Sequence, residues 1–338
     1  MKLTRLSGSQ TIPKKNLVVF PGALGDFICF LPALEKIARV GGLDLLARTE
    51  YGDLLPPTVT TRSVECYEIS RLFVPGAERD ERLKCFYSSY SSIYSWMGSS
   101  QPDFVKHLQI LSGNRVRIFP FRPSSSRIPM VDYYLSCLGE RHPREIFPAI
   151  PLRSDALSWI QGFWQQSGLQ ERRILVLAPG SGAAEKNWPV QFYKVVAEWW
   201  EKRFGKVIVL LGPVEEDRGG IGNHWGHALV LRGLELAKIA ALLTQCDLYL
   251  GNDSGVTHLV AALGVETVAL FGPTDPVQWA PRGKKVTAIS QNVECSPCVH
   301  SVMKACPHRK CLTTLNPVDV IGKLEEVWGD GEQQRSPP

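Results

Sequence analysis

An aspartate placed straight after a glycine turn can hold a proton acceptor at the mouth of a helix, and Gly22-x-x-Gly25-Asp26 has that form. The Asp26 carboxylate could take a proton from a hydroxyl. It could equally be the N-cap or first-turn acid of the helix that follows, where the dipole favours negative charge. A second segment, Pro179-Gly180-Ser181-Gly182-Ala183-Ala184-Glu185-Lys186-Asn187-Trp188-Pro189, leads a glycine-rich loop into a helix. Backbone N–H groups at such a helix start attract anions, and Lys186 adds a point charge suited to phosphate. The Walker spacing is absent, so this is not a P-loop. A third segment, Gly251-Asn252-Asp253-Ser254-Gly255-Val256-Thr257-His258, offers the Ser254 and Gly255 amides at another helix start. Asp253 could cap that helix or accept from a ligand hydroxyl, and His258 lies one turn further along. A hydrolase nucleophile would need G-x-S-x-G, and N-D-S-G is not that elbow. Phe271-Gly272-Pro273-Thr274-Asp275-Pro276 makes a fourth turn of this type.

Four cysteines stand apart from these segments as Cys295-x2-Cys298-x7-Cys306-x4-Cys311. The spacing is compatible with a tetrahedral structural zinc, with disulfides or with free thiols. The other five cysteines are scattered.

These side chains need strand ends and helix starts to carry them. Leu17–Phe20 is a short apolar run of strand type, and apolar residues from Asp26 to Val40 recur at helical spacing, which opens a βαβ unit. Short strands are expected at Leu43–Ala47, Ser63–Ile69, Ser91–Trp96 and Arg115–Phe119. From Ile174 onward the alternation is regular. Strands are expected at Ile174–Ala178, Val207–Leu211, Ala228–Leu231, Leu248–Leu250 and Thr267–Phe271. Helices between them run from about Pro189 to Arg203, Leu236 to Gln245 and Gly255 to Leu263. That order argues for an α/β fold with a parallel, doubly wound sheet, whose ligands sit at the carboxyl ends of the strands. The polar motifs fall at those ends. The reading divides the chain into an N-terminal Rossmann-like domain over 14–165, a second Rossmann-like domain over 170–315 and a C-terminal helix over 316–330.

Composition excludes several classes. The chain has 338 residues, 44% hydrophobic and 21% charged, as in an ordinary globular protein, so it is neither disordered nor a disulfide-stapled miniature. A net charge of +5 is too small for a nucleic-acid footprint, yet it suits work beside an anionic surface. The apolar run from Leu17 to Leu34 is broken by Pro21, Gly25, Asp26 and Pro32, which argues against a membrane span or a signal peptide. The expectation is a cytoplasmic protein with mostly reduced thiols.

Taken in order, PGALGDFICFLPAL, APGSGAAEKNWPVQFY, LLGPVEED, LRGLELAKIAALLTQCDLYLGNDSGVTHLVAALG and ALFGPTDPVQW resemble glycosyltransferase family 9, the ADP-heptose:lipopolysaccharide heptosyltransferases. The resemblance covers most of 17–45 and nearly all of 174–282. It implies a GT-B fold, two Rossmann-like domains facing a cleft, and an inverting, metal-independent transfer of heptose from ADP-heptose to a lipopolysaccharide core acceptor. Within the class, a relative using another nucleotide sugar or a protein acceptor is the alternative. Outside it, the alternative is a GT-B nucleotide-sugar binder or epimerase.

Carried over, Asp26 is the general base, solvated at its helix start, and Lys186 neutralises the departing diphosphate. Ser181, Gly182, Asp253, Ser254, Gly255 and His258 surround the donor. Glu215 is the acid near the ribose, with Glu216 as fallback, and Leu234 lines the adenine pocket. Gly25 and Asp26 meet the acceptor, with Arg122 and Arg127 as candidates for its phosphates or carboxylates; Arg115 and Arg117 belong to the same basic stretch, which could also be a solvated face. The segment before Leu24-Gly25-Asp26 departs from the family, which often carries a basic residue and serines there. The resemblance further implies a lipid-linked acceptor at the inner face of the inner membrane, peripheral contact with that surface, a C-terminal helix crossing back to the N-terminal domain, and no cofactor for catalysis; a structural zinc stays one of the three alternatives that the spacing of the four cysteines allows.

Overall fold

The computed structural model describes residues 15–124, 127–141, 146–212, 225–291 and 293–332. Its backbone forms two all-parallel sheets, each in its own compact unit. One unit comprises Met1–Pro21, Leu34–Gly52 and Pro57–Arg122, and the other Gly22–Ala33, Asp53–Pro56 and Pro123–Pro338.

The first sheet holds β1 (Asn16–Val19), β2 (Leu43–Ala47), β3 (Thr60–Ser63), β4 (Ser92–Ser95) and β5 (Val116–Ile118), in the order β3-β2-β1-β4-β5. All four residues of β1 are buried. A strand covered on both faces reads as a continuous apolar run, which is why this one was legible. The order reverses between β1 and β4, and α1 (Leu24–Ala38) leaves from just beyond β1. Helices α2 (Tyr67–Ser70), α3 (Glu81–Ser88) and α4 (Pro102–Ser112) follow in this region. Asp80 caps α3 by accepting from the Arg82 and Leu83 amides.

The second sheet holds β6 (Arg173–Ala178), β7 (Gly205–Leu210), β8 (Leu229–Leu231), β9 (Leu248–Asn252), β10 (Glu266–Phe271) and β11 (Val286–Ser290), in the order β11-β10-β9-β6-β7-β8. Its reversal lies between β6 and β9, where Ala178 pairs with Gly251. A crevice at such a reversal, outside the strand ends, is the ligand position of doubly wound sheets. The helices of this unit are α5 (Met130–Cys137), α6 (Ser154–Gln166), α7 (Val190–Arg203), α8 (Leu236–Leu243), α9 (Gly255–Ala262), α10 (Pro276–Trp279), α11 (His300–Ala305), α12 (Lys310–Thr313) and α13 (Pro317–Glu332).

Two expectations about organisation are corrected. Pro123–Gln166, assigned by sequence to the first domain, groups with the second sheet, and α6 packs on α8. The C-terminal helix, expected to cross back to the N-terminal domain, groups with the second sheet. Its stripe of Val320, Leu324 and Trp328 joins the core built on Trp188, Tyr193 and Trp200, with the Trp200 and Trp328 rings 5.2 Å apart. Helical spacing revealed the stripe, but the wide aromatic floor that α7 offers it decides where it packs. Truncating a buried tryptophan removes its transfer energy and leaves a cavity, so Trp328→Ala should cost about 3–5 kcal/mol of unfolding free energy. Urea denaturation followed by circular dichroism measures this; a loss under about 1 kcal/mol, the scale of a surface change, would contradict the packing. No described helix is long and apolar enough to cross a membrane.

Candidate active site

At the reversal of the second sheet, two loops are locked together by one side chain. Asn252, fully buried at the end of β9, accepts from the Trp188 amide at 2.9 Å and donates to the Pro179 carbonyl at 2.8 Å. It thereby holds both ends of the glycine-rich loop after β6. Inside that loop the Ser181 hydroxyl reaches the Ala183 carbonyl at 2.7 Å and Asn187 Oδ1 at 2.6 Å, so Ser181 shapes the turn. Gly182 is exposed, and a Cβ there would meet nothing within 4 Å.

The next residue along, Asp253, is buried. Its Oδ2 accepts from Lys186 Nζ at 2.9 Å and from the Thr274 hydroxyl at 2.8 Å. Segments two, three and four therefore meet on one carboxylate. Ser254 N-caps α9, its hydroxyl accepting from the Thr257 amide, and the first-turn amides of a helix have no partner within it. Thr257 in turn bonds the Tyr249 hydroxyl at 3.0 Å and the Asn252 carbonyl, which makes the start of α9 a rigid platform.

The first turns of α1 and α9 press together. A Cβ on Gly255 would lie 2.7 Å from Leu24 Cβ, so only glycine permits this approach. A Cβ on Gly25 would lie 3.2 Å from His258 Cδ2. Asp26 thus comes beside His258, and it is buried in the first turn of α1. This corrects the expectation of a solvated carboxylate: close packing around Gly25 and Gly255 encloses it. His258 is buried too, and desolvation holds its imidazole below the usual 6.5, against the pull of Asp253 and Asp26 and with a smaller push from Lys186. Burial thus favours the neutral ring.

Gly25, Asp26, Lys186, Asp253, Ser254, Gly255 and His258 thus form one site, with Ser181 and Gly182 on its loop. Leu234 is half-buried just ahead of α8. Glu215 and Glu216 lie outside the described residues. Arg127 pairs with Asp275, the N-cap of α10, at 3.1 Å, and Arg122 in the first unit stacks on Phe121 at 4.3 Å. The sequence reading passed over Asn252 and Thr274, although both stand inside quoted motifs. It also passed over Cys29, three residues beyond Asp26 and so on the same face of α1.

All nine cysteines are free thiols, and among the described residues no group of three or more His, Cys, Asp or Glu side chains could hold a metal. Cys311 turns into the core of the second unit, where burial, then the neighbouring cysteines, push its thiol up to about 11. Cys295, Cys298 and Cys306 line a mostly apolar pocket with His308 instead.

Chemically the site offers a cation and unpaired amides for an anion, and two enclosed carboxylates for hydroxyls or a proton. Known proteins sharpen this. The sequence model of Glycosyltransferase family 9 (heptosyltransferase) matches residues 150–308. The chain is 30% identical over 168 residues to lipopolysaccharide heptosyltransferase 1 of Pseudomonas aeruginosa, covering 45% of this chain and 47% of that protein. It spans about half the length of the curated relatives it matches. Among solved structures, the glycosyltransferase family 9 protein of Veillonella parvula superposes with a TM-score of 0.75 at 18% identity, covering 94% of this chain and 98% of that one. The ADP-heptose LPS heptosyltransferase II of Escherichia coli gives 0.69 at 19% identity, with 94% and 99% covered. These likenesses make the fold GT-B, two Rossmann-like sheets in one chain.

Proposed function

We infer, for a chain that belongs to glycosyltransferase family 9 through residues 150–308, that it transfers heptose from ADP-heptose to a hydroxyl of a lipopolysaccharide core acceptor. The observation that carries this reading is the convergence of Lys186, Asp253, Asp26 and His258 at the reversal of the second sheet. In the transfer, Asp26 takes the acceptor hydroxyl's proton. The freed oxygen forms a bond to the anomeric carbon as the bond from that carbon to the β-phosphate oxygen breaks. ADP leaves with the electron pair, and Lys186 with the amides of Ser254 and Gly255 receives the new negative charge. A single in-line displacement inverts the anomeric centre. In this reading Lys186 supplies the cation that neutralises the diphosphate, and the transfer proceeds without a metal ion. A Kdo- or heptose-terminated lipid acceptor would bring the chain to the cytoplasmic face of an anionic membrane, in keeping with its net charge of +5.

The test begins with thermal shifts of the full chain under ADP, UDP, GDP and CDP. Ligand at about 100 times its Kd stabilises by roughly 2.7 kcal/mol, so binding is readily seen. ADP alone should shift the melting temperature. ADP release from ADP-heptose should then require a core acceptor and persist in EDTA. A preference for UDP or GDP, or donor turnover without acceptor, would overturn the heptosyltransferase reading.

A further inference from the structure

Cys29 is buried on α1, and its Sγ lies 3.4 Å from Nδ1 of His258, 229 residues away in sequence. The opposite edge of the imidazole faces Gly25: a Cβ there would sit 3.2 Å from Cδ2 and 3.6 Å from Nε2. The ring is therefore held edge-on, one nitrogen on the thiol and the other beside the turn that carries Asp26. A neutral imidazole has one N–H, and which nitrogen holds it is set by the partner of the other. Two carboxylates, Asp253 and Asp26, act on this ring, with Lys186 opposing them more weakly. Acids beside a neutral ring favour a donor on the nitrogen turned toward them, and Nε2 lies on the edge that faces the turn carrying Asp26. Nδ1 must then accept, and the Cys29 S–H is placed to donate.

We propose that Cys29 is a positioning residue: by donating its S–H to His258 Nδ1, it fixes the ring's orientation and makes Nε2–H the donor presented at the Gly25–Asp26 turn. Its effect on turnover rests on the transferase reading; its effect on the histidine does not. Nε2–H in that position can steady the ionised carboxylate or a donor hydroxyl, while a reversed tautomer would present a lone pair to both. The device costs little in a buried site, because a thiol is small, apolar and a weak donor.

Two measurements test this. The first is nitrogen-15 NMR of the histidine-labelled full chain, with the His258 signal identified by its loss in His258→Asn. Unprotonated Nδ1 and protonated Nε2 are expected, with the balance shifting in Cys29→Ala. The opposite tautomer, or identical spectra in the two proteins, would overturn the proposal, whatever the chain's substrates prove to be. The second is kinetic. In Cys29→Ala, kcat should fall about tenfold, the scale of one lost hydrogen bond, with the donor KM little changed. Nδ1 is then free to protonate, so the acid limb of the pH profile should move to higher pH. Cys29→Ser should restore both, since a hydroxyl donates to Nδ1 at least as well. A purely packing role predicts the reverse: alanine tolerated, serine worse for its buried hydroxyl, and the acid limb unmoved. Should Cys29→Ala fail to fold, the wild-type tautomer decides.

Discussion

Asp26→Asn should lower kcat by about a hundredfold to ten-thousandfold, the usual contribution of a general base, and leave ADP binding intact. The substitution keeps shape and hydrogen-bonding reach but removes the ability to take a proton. Asp26 is enclosed by the contact of α1 with α9, so little of the loss would be recovered by bulk water acting as base. Its position also separates two roles. As a first-turn acid it would contribute only about 0.3–1 kcal/mol to the helix, and the amide would cost stability rather than rate. Steady-state turnover and an ADP thermal shift on the same preparation distinguish them. Retained kcat with a lowered melting temperature would remove the base assignment and leave Asp26 as a structural acid. Lost kcat with an unchanged ADP shift would place its role in the chemical step.

How much of this could be read beforehand depended on range. The strands of the second unit were clear because β6 and β9 are covered on both faces, which forces apolar runs, and because helices separate them in strict alternation. Two edge strands, β3 and β11, gave no such signal. The expected strand Ser63–Ile69 is in fact the end of β3 followed by α2, since Thr60–Ser63 has one exposed face and carries no large apolar residue. β11 was passed over for the same reason, its residues being only half-buried or exposed. Within the site, each motif showed its own chemistry, because strand–loop–helix segments place polar groups at strand ends regardless of what surrounds them. The joins between motifs were not legible. That Asn252 clasps the loop after β6, that Thr274 shares Asp253 with Lys186, and that Cys29 meets His258 are products of tertiary packing. Asp26 was read as solvated because a helix start usually is. The close packing of the two helix starts at Gly25 and Gly255 encloses it.

Lys186→Met should lower kcat/KM by about a hundredfold to a thousandfold, roughly 2.7–4 kcal/mol, the loss expected when one preorganised donor to a developing negative charge is removed. The interpretation needs care because Lys186 already has a partner. Asp253 is buried, and its Oδ2 holds both Lys186 Nζ and the Thr274 hydroxyl, so removing the cation leaves a buried charge with one neutral donor. Breaking a buried pair from one side commonly costs about 3–5 kcal/mol, though Lys186 is 23% exposed and solvent screening reduces that here. A fall in melting temperature is therefore expected in Lys186→Met whatever its catalytic role. The ADP-dependent shift separates the two. If Lys186 turns from Asp253 to the diphosphate, the variant should lose most of the stabilisation that ADP confers on the wild type, and the double variant Lys186→Met with Asp253→Asn should regain melting temperature without regaining kcat/KM. If Lys186 only neutralises Asp253, the ADP shift should persist, and the double variant should recover stability and turnover together. The geometry favours the first outcome. One ammonium, partly exposed on a loop that Asn252 keeps rigid, can serve the carboxylate before the donor arrives and the diphosphate as it departs.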